Sequence, residues 1–255
     1  MSILQVARPE QVPAIVEVAV RAMPESPQWD YRFPYRDDFP DDHYKYTSML
    51  YQQFADPANR DWLVLAVVVP PRANATDAPQ AEGQGGGHIV AFAVYDVSYV
   101  NKRLHGDSYE PFNPAAYVAA RGGSTRRDMN PAHQRAFRES GKHVREAVAQ
   151  YLDRRLCLQI LATHPDHRRR GYARLLCQWG MRLATKEGLV MTLTASAGGK
   201  LLYDSLDFTP LRNIVYQAPG EEEKVEATVL AYVPEAQTSE RSESLLAMQE
   251  LDLDF

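Results

Sequence analysis

The stretch from Leu156 to Lys186 constrains this chain more than any other. An apolar run, Leu156 to Ala162, ends in Thr163-His164-Pro165. After Gly171 comes a segment with Leu175, Leu176, Trp179 and Leu183 at helical spacing. Strand, turn and helix therefore follow one another, with Gly188 where a helix stop belongs. The proline pushes His164 towards extended backbone, which keeps the helix from starting there. A helix that begins after Gly171 turns its free N–H groups and the positive end of its dipole into a turn carrying Arg168, Arg169 and Arg170. Such a junction is suited to a phosphate-like anion. Gly171 lets a ligand approach the backbone, and Ala173 is small enough for the first helical turn to sit against a bulky anion.

The rest of the chain reads as alternating strands and helices. Ile3 to Ala7 is a short strand, and Pro9 opens a helix with Val12, Ile15, Val16, Ala19 and Val20 on one face. Met23 to Pro40 reads as irregular, followed by a helix to about Phe54. Strands Trp62–Val69 and His88–Tyr99 are expected to pair antiparallel across a flexible connection, residues 70–87, that ends in glycines. Residues 100–130 read as a long loop or lid, and Pro131–Leu152 as one helix. Leu189–Thr194 is a strand, Gly199–Leu206 a short helix, and Phe208–Gln217 and Val225–Val233 two last strands. Residues 1–235 are expected to form a single domain of α/β (α+β) class, with residues 236–255 a tail.

Composition excludes several roles. A net charge of −5 argues against a nucleic-acid partner, which would need a basic field. No apolar run is long enough for a bilayer, and the N-terminus shows no secretory pattern. The two cysteines, Cys157 and Cys177, cannot make a disulfide framework and read as buried free thiols. The expectation is a cytoplasmic protein with neither nucleic acid nor membrane as partner and with no metal site.

The turn is neither a P-loop, which needs Gly-Lys-Ser/Thr, nor a dinucleotide fingerprint, which needs further glycines. Its Arg-x-x-Gly-x-Ala pattern, Arg168 to Ala173, resembles the acetyl-CoA pyrophosphate loop of the GNAT superfamily of N-acetyltransferases. The strand ending in His164-Pro165 agrees with that family. So do Leu193-Thr194-Ala195-Ser196 and Leu202-Tyr203-Asp204-Ser205-Leu206-Asp207-Phe208, similar to its later strand and its Tyr-x-x-x-Gly-Phe signature. The flavour is closest to fungal small-molecule members. Asp207 replaces the usual glycine, and Ser196 stands where many relatives carry asparagine.

The resemblance implies a mixed central sheet of six to seven strands, flanked by helices, with two strands splayed apart, and acetyl-CoA as cofactor. It implies that backbone amides of Arg169, Arg170, Gly171 and Ala173 hold the pyrophosphate, with Arg168 and Tyr172 beside it. Backbone of Ile160, Leu161 and Thr163 would pair with the pantetheine arm, and Ser196 would lie along it. The amide near Leu161 would polarise the acetyl carbonyl, and Tyr203 would return a proton to the thiolate. An amine with a pKa of roughly 10 must also lose a proton before attack. His105, Asp96 and His164 are the candidate bases. From Trp29 to Tyr51 there are eight aromatics in 23 residues, against 10% for the chain. In the family this region, about residues 23–56, borders the acceptor pocket. Trp29, Tyr31, Phe33 and Tyr35 are therefore expected to line a site for a small apolar or aromatic amine, or to be core of an N-terminal extension. Asp37, Asp38, Asp41 and Asp42 would attract a cation or simply cap a helix. A protein or peptide acetyltransferase and a non-catalytic acyl-CoA-binding domain remain open beside the small-molecule enzyme.

Overall fold

The computed structural model describes residues 2–70 and 87–234. Seven strands form one sheet: β1 (Ile3–Val6), β2 (Trp62–Val69), β3 (His88–Asp96), β4 (Arg155–Thr163), β5 (Val190–Ala195), β6 (Thr209–Gln217) and β7 (Lys224–Tyr232). Their order is β1-β2-β3-β4-β5-β7-β6. The helices are α1 (Val12–Ala22), α2 (Pro27–Arg32), α3 (Pro40–Ala55), α4 (Tyr99–His105), α5 (Pro114–Ala119), α6 (Pro131–Glu139), α7 (Gly141–Ala147), α8 (Tyr172–Glu187) and α9 (Ala197–Asp204). Every strand pairing is antiparallel except β4–β5, which α8 connects as a crossover.

That parallel pair is where the sheet divides. β4 and β5 pair only from Arg155↔Val190 to Leu158↔Leu193. Beyond this, β5 stays with β7 through Thr194↔Val229 and Ala195↔Thr228, while β4 stays with β3 as far as Thr163↔Ala91. Gln159 is the extra residue of a bulge between the pairs Leu158↔Tyr95 and Ile160↔Val94. A bulge bends its strand and strengthens the twist, which carries the end of β4 away from β5. It also switches side-chain parity. Leu156 and Leu158 before it, and Leu161 after it, all pack into the core on the α8 side.

Each face of the divided sheet has its own cover. On one side lie α8 and α9, with Leu176, Cys177, Leu183, Tyr203 and Phe208 packed on Tyr95, Leu156, Leu193 and Leu230. On the other side α1 and α3 cover the β1–β4 half, around Ile15, Tyr51, Phe92 and Ala162. Tyr31, Phe137, Val144 and Val148 cover the β6–β7 half. One glycine fixes how α8 sits. A Cβ at Gly180 would lie 2.7 Å from the ring of Tyr95, whose hydroxyl donates to the Leu176 carbonyl at 2.8 Å. A mid-helix glycine costs about 1 kcal/mol relative to alanine; here it lets a buried tyrosine of β3 pin the helix.

Three sequence readings are corrected. Residues 100–130 are not a loop, because α4 and α5 occupy much of that span, Asn113 capping α5 by accepting from the Ala116 amide. Residues 23–40 contain α2 and a 3-10 turn, Met23–Glu25. The single helix expected from Pro131 to Leu152 is broken at Ser140-Gly141 into α6 and α7, and closes in a 3-10 stretch, Ala149–Arg154. The connection 70–87, apart from its two end residues, and the tail 236–255 lie outside the described residues.

Candidate active site

The turn between β4 and α8 is built from short-range rules. Pro165–His167 form a 3-10 turn, whose N-cap His164 accepts from the Asp166 amide at 3.3 Å. Arg169 and Gly171 then take left-handed backbone, φ 61° and 82°. Nothing lies within 4 Å of where a Gly171 Cβ would stand, so the glycine is required by its φ rather than by crowding from protein atoms. Gly171 has no side chain to cap α8, and the first backbone bond of the helix is Leu175 N–H to the Gly171 carbonyl, 2.9 Å. The amides of Tyr172, Ala173 and Arg174 therefore face the turn without an intrahelical acceptor. The three arginines do not act alike. Arg168 pairs with Glu25, and Arg170 donates to the Asp166 carbonyl at 3.2 Å. Arg169 is exposed.

The open edge of β4 can be assigned atom by atom. His164 donates its amide to the Val90 carbonyl at 2.8 Å. Hydrogen-bonded pairs alternate along an antiparallel ladder, so Ala162 and Ile160 also direct their backbone groups at β3. Leu161 and Thr163 direct theirs away from β3, into the gap that β5 has left. The expected trio is thus reduced to two, since the backbone of Ile160 is committed to the sheet.

Tyr203 projects from α9 beneath α8, 7% exposed, its ring 5.5 Å from that of Phe208. The helix that carries it rests on β5 and β7. Its electrostatic neighbours nevertheless include Tyr95 of β3 and Cys177 of α8, so the side chain reaches across the divided sheet. Burial pushes its hydroxyl well above the usual phenol range. It makes no hydrogen bond among the described residues. Ser196 acts within its own turn, where its Oγ caps α9 by accepting from the Gly199 amide at 3.3 Å. Asp207 explains its own substitution. It has φ 59°, with Asp207 N–H to Asp204 O at 3.4 Å and Phe208 N–H to Tyr203 O at 3.1 Å. This is a Schellman close, where glycine is preferred and aspartate is among the residues that tolerate the left-handed region.

On the opposite face the aromatic segment is mostly interior. Trp29 and Tyr31 are 2% exposed and Phe33 4%, which leaves them no surface for a ligand; Tyr35, at 43%, points to solvent. The expected aromatic lining is corrected accordingly. Trp29 donates its indole N–H to His43 Nε2 at 3.3 Å, so the other ring nitrogen carries the proton towards Asp128 Oδ2, 2.7 Å away. Arg126 forks onto the same carboxylate at 2.7 and 2.6 Å. Burial would raise the Asp128 carboxyl, but the bonds from Arg126 and His43 prevail and hold it at about 2. Tyr31 accepts the Ala218 amide at 2.9 Å and stacks on His133 at 3.8 Å. His133 also contacts Glu221 at 2.6 Å, tying α6 to the β6–β7 turn. Among the acids, Asp42 clamps Arg127 at 2.9 and 3.0 Å instead of facing a ligand.

None of the three candidate bases is well placed. Asp96 stands at the closed end of the gap, opposite Cys157, where it accepts the Ser98 amide and lies 3.9 Å from Arg155. His105 is exposed on α4. His164 borders the open end, but its Nδ1 lone pair accepts the Asp166 amide and its proton sits on Nε2. Burial moves His164 below the usual imidazole range. The cysteines are free; burial pushes the Cys177 thiol up to about 12 and raises Cys157 as well, which suits inert packing. Among the described residues no helix is long and apolar enough to cross a membrane, and no cluster of three metal-ligand side chains occurs.

The sequence matches no protein-family model and no curated protein. Its fold does have counterparts among solved structures. A Drosophila melanogaster polyamine N-acetyltransferase that forms N-acetylagmatine superposes with a TM-score of 0.56 at 9% identity, over 92% of this chain and 100% of that one. A Corynebacterium glutamicum protein described as a histone acetyltransferase and related acetyltransferase gives 0.53 at 17% identity, over 93% and 99%. A mosquito arylalkylamine N-acetyltransferase-like protein gives 0.52 at 14%, over 91% and 100%. At such identities the likeness is one of fold, and the fold is the acetyltransferase fold that the sequence resemblance implied.

Proposed function

We propose that this protein is an acetyl-CoA-dependent N-acetyltransferase acting on the amine of a small molecule. One observation carries the reading: an open strand edge, presenting the backbone of Leu161 and Thr163, leads directly to a left-handed turn and the uncapped start of α8. A ligand with a peptide-like arm and a diphosphate at one end matches both features. The arm would add to β4 as a further strand, and the amides of Gly171, Tyr172, Ala173 and Arg174 would hold the diphosphate.

The bound cofactor supplies a thioester-activated acetyl group. The chain's own part is then threefold. The Leu161 amide, fixed in the gap, would donate to the acyl oxygen. The amine would enter from the face opposite α8, where the sheet divides. Tyr203 would stand by the departing sulfur and hand it a proton. In the balance the C–S bond would break and a C–N bond form; the ammonium would give one proton to solvent before attack, and the second, lost after attack, would restore Tyr203.

Calorimetric titration with acetyl-CoA, followed by free-thiol detection over a panel of amines, tests the proposal. Binding and thiol release with at least one small amine are expected. Gly171→Val should weaken acetyl-CoA binding, because a β-branched residue resists positive φ. Turnover confined to protein lysines would remove the small-molecule reading, and binding without thiol release on any acceptor would leave a non-catalytic domain.

A further inference from the structure

Among the described residues of the face opposite α8, Arg32 is a half-buried cation that stacks on aromatic rings and has no acid partner. Arg32 ends α2 on that face. Its guanidinium carbon lies 4.1 Å over the ring of Phe137, 4.9 Å over Phe33 and 5.3 Å over Trp29. Phe137 in turn stacks on Tyr216 of β6 at 5.1 Å. Its charge also reaches Tyr51, which packs edge-on against Phe92 of β3, the register partner of Ala162. The guanidinium therefore lies against the cover of the β6–β7 half, within electrostatic range of Tyr51 in the cover of the β1–β4 half.

Its bonding is incomplete. Nε donates to the Gln28 carbonyl at 3.1 Å, and neither terminal nitrogen donates to any described residue. No carboxylate among the described residues pairs with Arg32. The nearby acid, Asp128, is already taken by Arg126 and His43. Desolvation, with the Arg126 charge adding to it, pulls the Arg32 guanidinium down to about 10, the direction expected of an uncompensated cation. Arg32 is half-buried, and a guanidinium whose terminal nitrogens have no acid partner can take one from a ligand.

We infer that the two free nitrogens of Arg32 receive a carboxylate of the acceptor, so that the acceptor is an amine that also carries a carboxylate, of the amino-acid type. This rests on the acetyltransferase reading above and refines its acceptor. A planar fork held flat among aromatic rings suits bidentate carboxylate recognition. The same positive charge, with Arg126 behind it, disfavours acceptors that carry only amines. It also gives the buried rings of Trp29 and Phe33 a role: they hold the arginine instead of touching the acceptor.

Matched acceptors test this in the full-length protein with acetyl-CoA: phenylalanine against phenethylamine, and leucine against isoamylamine, followed by thiol release. The carboxylate-bearing member of each pair should show a kcat/KM at least about tenfold higher, since a hydrogen bond to a charged group is worth roughly that or more. Arg32→Gln should raise KM for the amino acid by roughly 10- to 100-fold, abolish the preference and leave acetyl-CoA affinity unchanged. Arg32→Lys should restore part of it, because it keeps the charge and loses the fork. Equal turnover within each pair, or a preference that survives Arg32→Gln, would overturn the inference while leaving the acetyltransferase intact. Failure to bind acetyl-CoA at all would overturn both.

Discussion

The two faces of the sheet are assembled in different ways. On the α8 face the turns that end β4 and α9 are local. The strand, its turn, the start of α8 and the capped close of α9 each lie within a short span of chain, and their geometry follows from Pro165, Gly171 and the left-handed Asp207. The opposite face is assembled from distant segments. His43 meets Asp128 across 85 residues, Tyr31 meets His133 across 102, and Tyr31 meets Ala218 across 187. A ligand shared by many proteins can be held by backbone in a fixed local motif. An acceptor particular to one protein is held by side chains that only the complete fold brings together.

If the faces are separable, damage to one should spare the other. The largest effect is expected from Asp128→Asn, which strands Arg126 and breaks the link to His43. Removing one partner of a buried pair costs about 3–5 kcal/mol, read as a lower denaturant midpoint. Acetyl-CoA affinity of the molecules that remain folded should not change; a parallel loss would show the faces to be coupled. Acid titration adds a check. The carboxyl is held at about 2 in the fold, so its contribution is present above its unfolded value near 4 and is lost as pH falls from there towards 2. The Asn variant should lack that component.

Tyr203→Phe is the converse experiment on the α8 face. Turnover should fall by about 100-fold or more, as for removal of a general acid, with little change in acetyl-CoA affinity. Its hydroxyl has no hydrogen-bond partner among the described residues, so the melting temperature should move little. An unchanged rate would show that Tyr203 is not the acid. Gly180→Ala comes next. The added methyl would press on the Tyr95 ring, and overpacking of about 1–3 kcal/mol, less the helix gain of about 1 kcal/mol, should lower stability. By tilting α8 it should also weaken acetyl-CoA binding, which would distinguish a positioned helix start from a passive one. The smallest effect belongs to Asp207→Gly. Relief of the left-handed strain should raise stability by up to about 1 kcal/mol, with turnover unchanged.

This division also explains what could be read in the sequence. The strands came out within a few residues, except that the expected β3 ended at Tyr99 where the strand stops at Asp96. Their apolar runs are short, and glycine and proline bound several of them. The turn from Arg168 to Ala173 was legible for the same reason. The structure adds that Gly171 is needed for its φ, and that only Leu161 and Thr163 of the expected strand residues turn their backbone to the gap. The aromatics from Trp29 to Tyr35 were misread because a cluster of rings gives no sign of which way it faces. Three of them point inward to hydrogen-bond or pack with residues from His43 to Ala218. Residues 100–130 hid α4 and α5 because those helices are short and cover other segments, Tyr117 resting by Tyr46 and Met49. Arg32, Asp128 and the Tyr95–Gly180 contact were missed altogether. Gly180 within a strong helical pattern was the one available signal, since such a glycine often marks close packing.

The central claim is that the open edge of β4 and the start of α8 together hold coenzyme A. The most direct measurement is a backbone-amide NMR titration of the protein with coenzyme A. The largest shifts are predicted at Leu161, Thr163 and Gly171 to Arg174, with those of Ile160 and Ala162, locked to β3, moving less. Saturable binding whose shifts fall elsewhere, or no binding at millimolar ligand, would contradict it.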